Sequence, residues 1–322
     1  GSVYCWGDNE FGTLGLGYSS TGNPHTEAIP RHVDTLGSHL ELSERDLNDD
    51  GDIHMFDKVA LGGQSGSSFA GSNIGGGESH TCVRVENGSL YCWGQNRRLG
   101  SGIGGTGWSG PVAVSFDSIG DGIKTRSISF GQSHSCATLD YSIATNLSVD
   151  PVNESSSVAC WGYNGNYQVS GLETDHQDVL TPVIVPTEPG DSVVLVDSGH
   201  SHNCAILESG AVQCWGQNTA GQLGNGEFTS NEPNPVFVSQ LNGSGVTAIA
   251  SGGIHTCAIV NGGLVECWGG NDAHQAGQED EDADYNNPES VDLIDGAKAV
   301  AIDSGYKFTC VLIENGSVQC WG

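Results

Sequence analysis

The sequence predicts an all-β fold made of tandem, disulfide-stapled repeats, and three observations carry that expectation. The motif Cys-Trp-Gly recurs six times, 49 glycines punctuate the chain, and a single methionine stands against abundant Val, Ile, Ser and Thr. Frequent glycine among β-branched residues marks short strands joined by tight turns. A hydrophobic fraction of 36% is low for one thick core. It suits an array of thin layers, each with a modest core of its own.

The motifs begin at Cys5, Cys92, Cys160, Cys214, Cys267 and Cys320, and their tryptophans lie 87, 68, 54, 53 and 53 residues apart. A basal unit of 53 residues with insertions in the first two copies accounts for these intervals. The repeats run approximately 8–94, 95–162, 163–216, 217–269 and 270–322, with insertions at about 19–77 and 140–157.

A second cysteine precedes five of the motifs, giving the pairs Cys82/Cys92, Cys136/Cys160, Cys204/Cys214, Cys257/Cys267 and Cys310/Cys320. Four pairs are ten residues apart, and the fifth is 24 apart because of the second insertion. The stretch from Cys204 to Cys214 reads as a hairpin centred on Ser209, with Gly210 in the left-handed position of a three-residue loop. The other short pairs centre on Asn87, Gly262 and Asn315, each followed by glycine. Cysteines ten apart then face each other on antiparallel strands, close enough for a disulfide. Each such staple is worth roughly 2–3 kcal/mol. Of 11 cysteines ten pair, and Cys5 is left over. Because the chain begins and ends at the same repeat phase, it reads as an excerpt of a longer array.

Formal charge is −29, from 39 acidic and 10 basic residues. Proteins grip phosphate backbones with Lys and Arg, so nucleic acid is not an expected partner. No apolar run is long enough to cross a bilayer, so no membrane insertion is expected in this segment.

After the motif comes a glycine-punctuated loop, clearest in Cys214-Trp-Gly-Gln-Asn-Thr-Ala-Gly-Gln-Leu-Gly224 and shortened in Gln95-Asn-Arg-Arg-Leu-Gly100. The period His-x-Cys-Ala-Ile, Gly-x-Val-x-Cys-Trp-Gly-x-Asn-x-x-Gly-Gln-Leu-Gly strongly resembles the regulator of chromosome condensation repeat family, over essentially the whole chain. The resemblance implies a β-propeller of four-stranded antiparallel blades, usually seven to a ring. Five repeats are visible, so such a ring needs about two more. Within the copy 217–269 the strand-like pieces are Pro233–Val238, Val246–Ala250, Cys257–Val260 and Leu264–Trp268. The motif tryptophans are expected between neighbouring blades.

One segment carries metal-ligand spacing. In Asp46-Leu-Asn48-Asp-Asp50-Gly51-Asp52-Ile53-His54-Met-Phe-Asp57, oxygen ligands fall at positions 1, 3, 5 and 12, with the Asp52 carbonyl at position 7 and glycine at 6. Alternate side chains then converge on one hard cation, as in the EF-hand loop and its dockerin-like relatives. The expected cofactor is calcium. Asp57 stands where Glu is usual and no helices flank the loop, so an acidic solvated turn is the alternative.

The run Glu279-Asp280-Glu281-Asp282, with Asp284, reads as a solvated loop, since contiguous carboxylates do not space themselves around an ion. His80, His134, His202 and His255 recur two residues before a cysteine, where the last copy has Phe308. That recurrence predicts a structural role repeated in each blade. Asn87, Asn146, Asn153, Asn242 and Asn315 lie in glycan-acceptor triplets.

The chain carries no nucleophile elbow, phosphate loop or zinc-ligand pattern, and no enzyme activity is expected. Stapling disulfides persist outside the cytoplasm. The sequence therefore predicts an extracellular or cell-surface scaffold whose insertions meet a protein or glycan partner. The resemblance also implies two alternatives: guanine-nucleotide exchange on a small GTPase, the founding member's activity, and inhibition of a secreted enzyme.

Overall fold

The computed structural model describes residues 4–8, 26–32, 74–77, 79–84, 88–105, 107–140, 156–169, 178–241, 244–280 and 283–322. The calcium-type loop with Asp46, Asn48, Asp50, Asp52 and Asp57, most of both insertions, and Asn87, Asn146, Asn153 and Asn242 lie outside the described residues.

The fold is an all-β propeller. Strands β1 (Tyr4–Asp8) and β2 (Thr26–His32) form an antiparallel pair. Blade I comprises β3 (Ile74–Gly76), β4 (His80–Arg84), β5 (Leu90–Gln95) and β6 (Trp108–Ala113). Blade II comprises β7 (Lys124–Phe130), β8 (His134–Asp140), β9 (Ser156–Gly162) and β10 (Val179–Val185). Blade III follows with β11 (Val193–Ser198), β12 (His202–Leu207), β13 (Val212–Gln217) and β14 (Asn231–Phe237), and blade IV with β15 (Ala248–Ser251), β16 (His255–Val260), β17 (Leu264–Gly269) and β18 (Tyr285–Val291). Blade V holds three strands, β19 (Ala299–Ser304), β20 (Thr309–Ile313) and β21 (Val318–Trp321). The first strands β3, β7, β11, β15 and β19 each touch the next, so they converge on a common axis.

The sequence period and the blade are out of phase. Pro233–Val238 of the copy 217–269 does not join that copy's other strands; its strand β14 pairs with β13 in blade III. Each copy thus gives an outer strand to one blade and three inner strands to the next, tying neighbours together covalently. Proline explains which strand is outermost. Pro30, Pro111, Pro182, Pro233, Pro235 and Pro288 all fall in fourth-strand positions, where a missing N–H costs no ladder bond.

The second and third strands of each blade form the expected hairpin. All five predicted disulfides are present, each joining directly opposed residues with Cα atoms 4.0–4.1 Å apart. Gly210 takes the left-handed φ of 83° that its turn requires.

The motif tryptophans pack between blades as expected. Trp161 of blade II lies against Leu90, Leu99 and Val114 of blade I. Trp215 lies against Val169 and Val185 of blade II, and Trp268 against Leu223 and Val212 of blade III. A large aromatic buried at each seam supplies what a thin sheet cannot bury by itself.

Candidate binding site at the channel mouth

The loop after Cys-Trp-Gly is shaped by its own amides. Asn218 Oδ1 accepts the Leu223 N–H at 3.0 Å, and Gln222 Oε1 accepts the Ala220 N–H at 2.9 Å. Asn164 with Gln168 and Asn271 with Gln275 repeat the arrangement. So folded, each loop aims the glutamine carbonyl at the following blade. The Gln168 carbonyl accepts Trp215 Nε1–H at 3.0 Å and Asn203 Nδ2–H at 2.7 Å. The Gln222 carbonyl accepts Trp268 Nε1–H at 2.9 Å and the Thr256 hydroxyl at 3.0 Å. At the next seam the Gln275 carbonyl accepts Trp321 and Thr309.

The recurring histidines complete these seams. His134 Nε2 meets Asn203 Oδ1 at 2.8 Å, and His202 and His255 meet Thr256 and Thr309 Oγ1 at 2.9 Å. The Thr256 hydroxyl has spent its hydrogen on Gln222, so His202 must donate and carries its proton on Nε2. All four histidines are buried. Burial, the largest cause, pushes His80 and His202 down to about 3 and His134 and His255 down to about 4. These are neutral structural pins. Among the described residues no group of three metal-ligating side chains occurs.

The seam between blades I and II differs. Its loop is two residues shorter and lacks the glutamine. Trp161 Nε1 is accordingly buried without a partner among the described residues. Arg98 occupies this region, paired with Asp178 and lying over the Tyr163 ring at 5.3 Å.

The pinned blades present their first strands around the axis. These end on Ser129-Phe130-Gly131-Gln132, Asp197-Ser198-Gly199-His200, Ala250-Ser251-Gly252-Gly253 and Asp303-Ser304-Gly305-Tyr306. A Cβ at Gly131 or Gly199 would lie 2.5 Å from the carbonyl oxygen of Gly199 or Gly252 on the next blade. Only glycine permits that approach. It lets the Gln132 and His200 amides donate to the His200 and Gly252 carbonyls at 3.2 and 3.1 Å.

The result is a cavity of about 510 Å³ open at the channel mouth, lined by Phe130, Gln132, Ser198, His200, Ser251, Ser304, Tyr306 and the glycines. Asp197 lies beneath it, fully buried. Its carboxylate accepts the Ser251 N–H at 2.6 Å and the Ser129 hydroxyl at 3.2 Å. Burial pushes Asp197 up to about 7; Asp303 adds to the rise, and the Ser251 N–H opposes it. Ser198 Oγ is buried with no partner among the described residues, and the buried Ser251 side chain, like its N–H, favours the charged form of Asp197. Tyr306 is exposed at the rim, edge-on to His200 at 5.5 Å.

The family model of the Regulator of chromosome condensation (RCC1) repeat matches residues 1–43, 157–206 and 209–259, and its second form matches 72–98 and 193–222. Together they span more than half of the chain. The chain belongs to the RCC1 repeat family. Within this family it is 26% identical to the ultraviolet-B receptor UVR8 of Arabidopsis thaliana over 99% of the chain, which spans 60% of that receptor. It is 27% identical to the human E3 ubiquitin-protein ligase HERC2 over its whole length but spans 6% of that protein. Among solved structures, human WBSCR16 superposes with a TM-score of 0.72 at 19% identity, covering 100% of this chain and 75% of that one. Prp20p of Saccharomyces cerevisiae gives 0.69 at 21% identity, covering 99% and 65%. Both share the fold of this chain.

Of the predicted site residues, the ten cysteines staple the RCC1 blades away from the axis, while the metal ligands lie outside the described residues. Asn315 sits exposed on the blade V hairpin, its Oδ1 accepting the Ser317 N–H at 2.8 Å as a turn cap. Glu279 and Asp280 are exposed, consistent with a solvated loop. Sequence reasoning missed the channel mouth. Its signal was the Ser-Gly pair recurring at Ser198, Ser251 and Ser304, each four residues before the His or Phe position.

Proposed function

We propose that this chain is a non-catalytic, protein-binding propeller that works outside the cytoplasm. The observation that carries this reading is the channel mouth: an open cavity of about 510 Å³ whose rim carries the exposed Tyr306 ring edge-on to His200, on blades joined to one another across their seams. The histidines, neutral and pinned across the seams, are unsuited to acid–base chemistry, which supports binding over catalysis. Five disulfides support an oxidising compartment.

The insertion 19–77 adds a calcium site formed by Asp46, Asn48, Asp50, the Asp52 carbonyl and Asp57, supported by its ligand spacing. This insertion and 140–157 present a surface that blade folding does not require. Affinity capture with the oxidised chain, followed by mass spectrometry, tests the proposal. A specific partner lost on His200→Ala with Tyr306→Ala is the expected result. Accelerated nucleotide release from a small GTPase would instead favour the exchange-factor alternative.

A further inference from the structure

The Asn-x-Ser triplets begun by Asn87, Asn146, Asn153, Asn242 and Asn315 serve neither the blade cores nor the channel mouth. The strands that flank them sort them by face. Each second strand starts beside the mouth and runs away from it: β20 pairs Thr309 with Ser304 and reaches Ile313 roughly 13 Å further on. The triplets of Asn87 and Asn315 follow such strands, in the hairpins β4–β5 and β20–β21. Asn146 and Asn153 fall between β8 and β9 in the chain. Asn242 follows the fourth strand β14, and the Ser244 carbonyl of its triplet accepts the Asn261 N–H of the blade IV hairpin at 3.1 Å. Every triplet thus interrupts the sheets at the end away from the mouth. Asn315 is the one asparagine of the five among the described residues.

The mouth end has asparagines too, but of another kind. Asn96, Asn164, Asn218 and Asn271 lie in the loops after Cys-Trp-Gly, and none begins an acceptor triplet. The Gln95 and Gln217 N–H groups donate to the Ser79 and Ser201 carbonyls, which holds two of these loops beside the mouth. Asn218 Nδ2 donates to the Glu227 carbonyl at 3.0 Å, and Asn271 Nδ2 to the Gln278 and Asp280 carbonyls at 3.0 and 2.8 Å. Both side chains are buried. A nitrogen so enclosed leaves no room for a sugar.

Asn315 is arranged the opposite way. It is exposed between exposed Glu314 and Gly316, and a Cβ at Gly316 would meet nothing within 4 Å. Its Oδ1 accepts the Ser317 N–H at 2.8 Å and the Ser317 hydroxyl at 2.7 Å, while its Nδ2 makes no hydrogen bond among the described residues. Glycan transfer takes place at that nitrogen. Nδ2 bonds to the anomeric carbon of an oligosaccharide carried on a lipid diphosphate. The carbon–oxygen bond to the diphosphate breaks, and the nitrogen gives up one proton. Oδ1 stays an acceptor throughout, so the turn cap survives the modification.

We propose, resting on the reading that the chain works outside the cytoplasm, that Asn315 carries an N-linked glycan and that the hairpin end of the propeller is its glycan-bearing face. The opposite face, with Tyr306 and His200 at the channel mouth, is left bare for a partner. A bulky, hydrated sugar on one face restricts partner docking to the other.

The test secretes the full chain from a eukaryotic host and maps its peptides before and after treatment with peptide N-glycosidase. A glycan at Asn315 is expected, and Ser317→Ala should remove it. That variant keeps the Ser317 N–H that Asn315 caps, so its loss of sugar reports on the triplet and not on folding. Hydroxyl-radical footprinting then compares glycosylated with deglycosylated chain. Val318 should be protected by the glycan at least twofold, and Tyr306 should be labelled equally in both. An unmodified Asn315, a glycan that persists in Ser317→Ala, or equal protection of Tyr306 would overturn the proposal. Unmodified Asn315 in a chain with all five disulfides formed overturns the glycan and leaves the extracellular reading in place. A glycan on a chain whose cysteines stay reduced upholds the site and removes that reading instead.

Discussion

His202 of blade III and Thr256 of blade IV are joined across the seam by a 2.9 Å hydrogen bond, and Thr256 passes its own hydrogen to the Gln222 carbonyl at 3.0 Å. One hydroxyl therefore satisfies a buried ring N–H and a buried carbonyl at once. Thr256→Val keeps the shape and removes both bonds. It should destabilise the chain by about 1–3 kcal/mol, the cost of stranding a buried polar group. Thr256→Ser should recover most of the loss. Thermal denaturation of both variants checks the relationship, and equal midpoints for the two would refute it.

The tryptophan seams make a matched comparison. Trp215 donates to the Gln168 carbonyl, whereas Trp161 has no acceptor among the described residues. Trp215→Phe should cost about 1 kcal/mol more than Trp161→Phe, the net value of one hydrogen bond. Denaturant titrations of the two variants measure the difference.

Two sets of buried groups pull stability in opposite directions with pH. The four histidines have folded values near 3–4, below the unfolded value of 6.5. The unfolded chain therefore binds more protons between those values, and stability falls as pH drops through that window. Asp197 is raised from 3.8 to about 7. Its contribution is fully present below pH 3.8 and is lost as pH rises through 7. From about pH 4 to 6.5 the histidines outnumber it, so acid should destabilise the chain. Each net proton contributes roughly 1.4 kcal/mol per pH unit. Asp197→Asn should gain melting temperature relative to the parent between pH 5 and pH 8.5, because ionisation of the buried carboxyl penalises only the parent as pH rises. A difference between variant and parent that does not change from pH 5 to pH 8.5 would contradict the assignment.

Each hairpin disulfide should contribute roughly 2–3 kcal/mol. Non-reducing peptide mapping should return Cys82–Cys92, Cys136–Cys160, Cys204–Cys214, Cys257–Cys267 and Cys310–Cys320. Replacing both Cys204 and Cys214 with alanine should lower the denaturation midpoint without changing the fold.

For the insertion, calorimetry should detect calcium binding that Asp46→Ala and Asp50→Ala each abolish. Heat unchanged in those variants would leave an ordinary acidic turn.

The sequence by itself determined the blades. Cysteines ten apart around a glycine turn leave one hairpin register, and a tryptophan every 53 residues demands a neighbouring layer to bury it. The family resemblance supplied the radial arrangement, and the structure agreed on the staples and the inter-blade tryptophans. Which blade each strand joins was decided only by the tertiary structure: Pro233–Val238 reads as a strand in either assignment, and pairing with β13 settles it. The channel mouth likewise exists only in three dimensions. Ser198, Ser251 and Ser304 are 53 residues apart along the chain, and each alone is an ordinary strand-end serine. They line one cavity because glycines let neighbouring backbones approach at the axis, and burial beside Asp303 then raises the proton affinity of Asp197. Local patterns encode register and turn, which depend on residues close in sequence. Desolvation and the meeting of distant side chains depend on closure around the axis, which no local pattern contains.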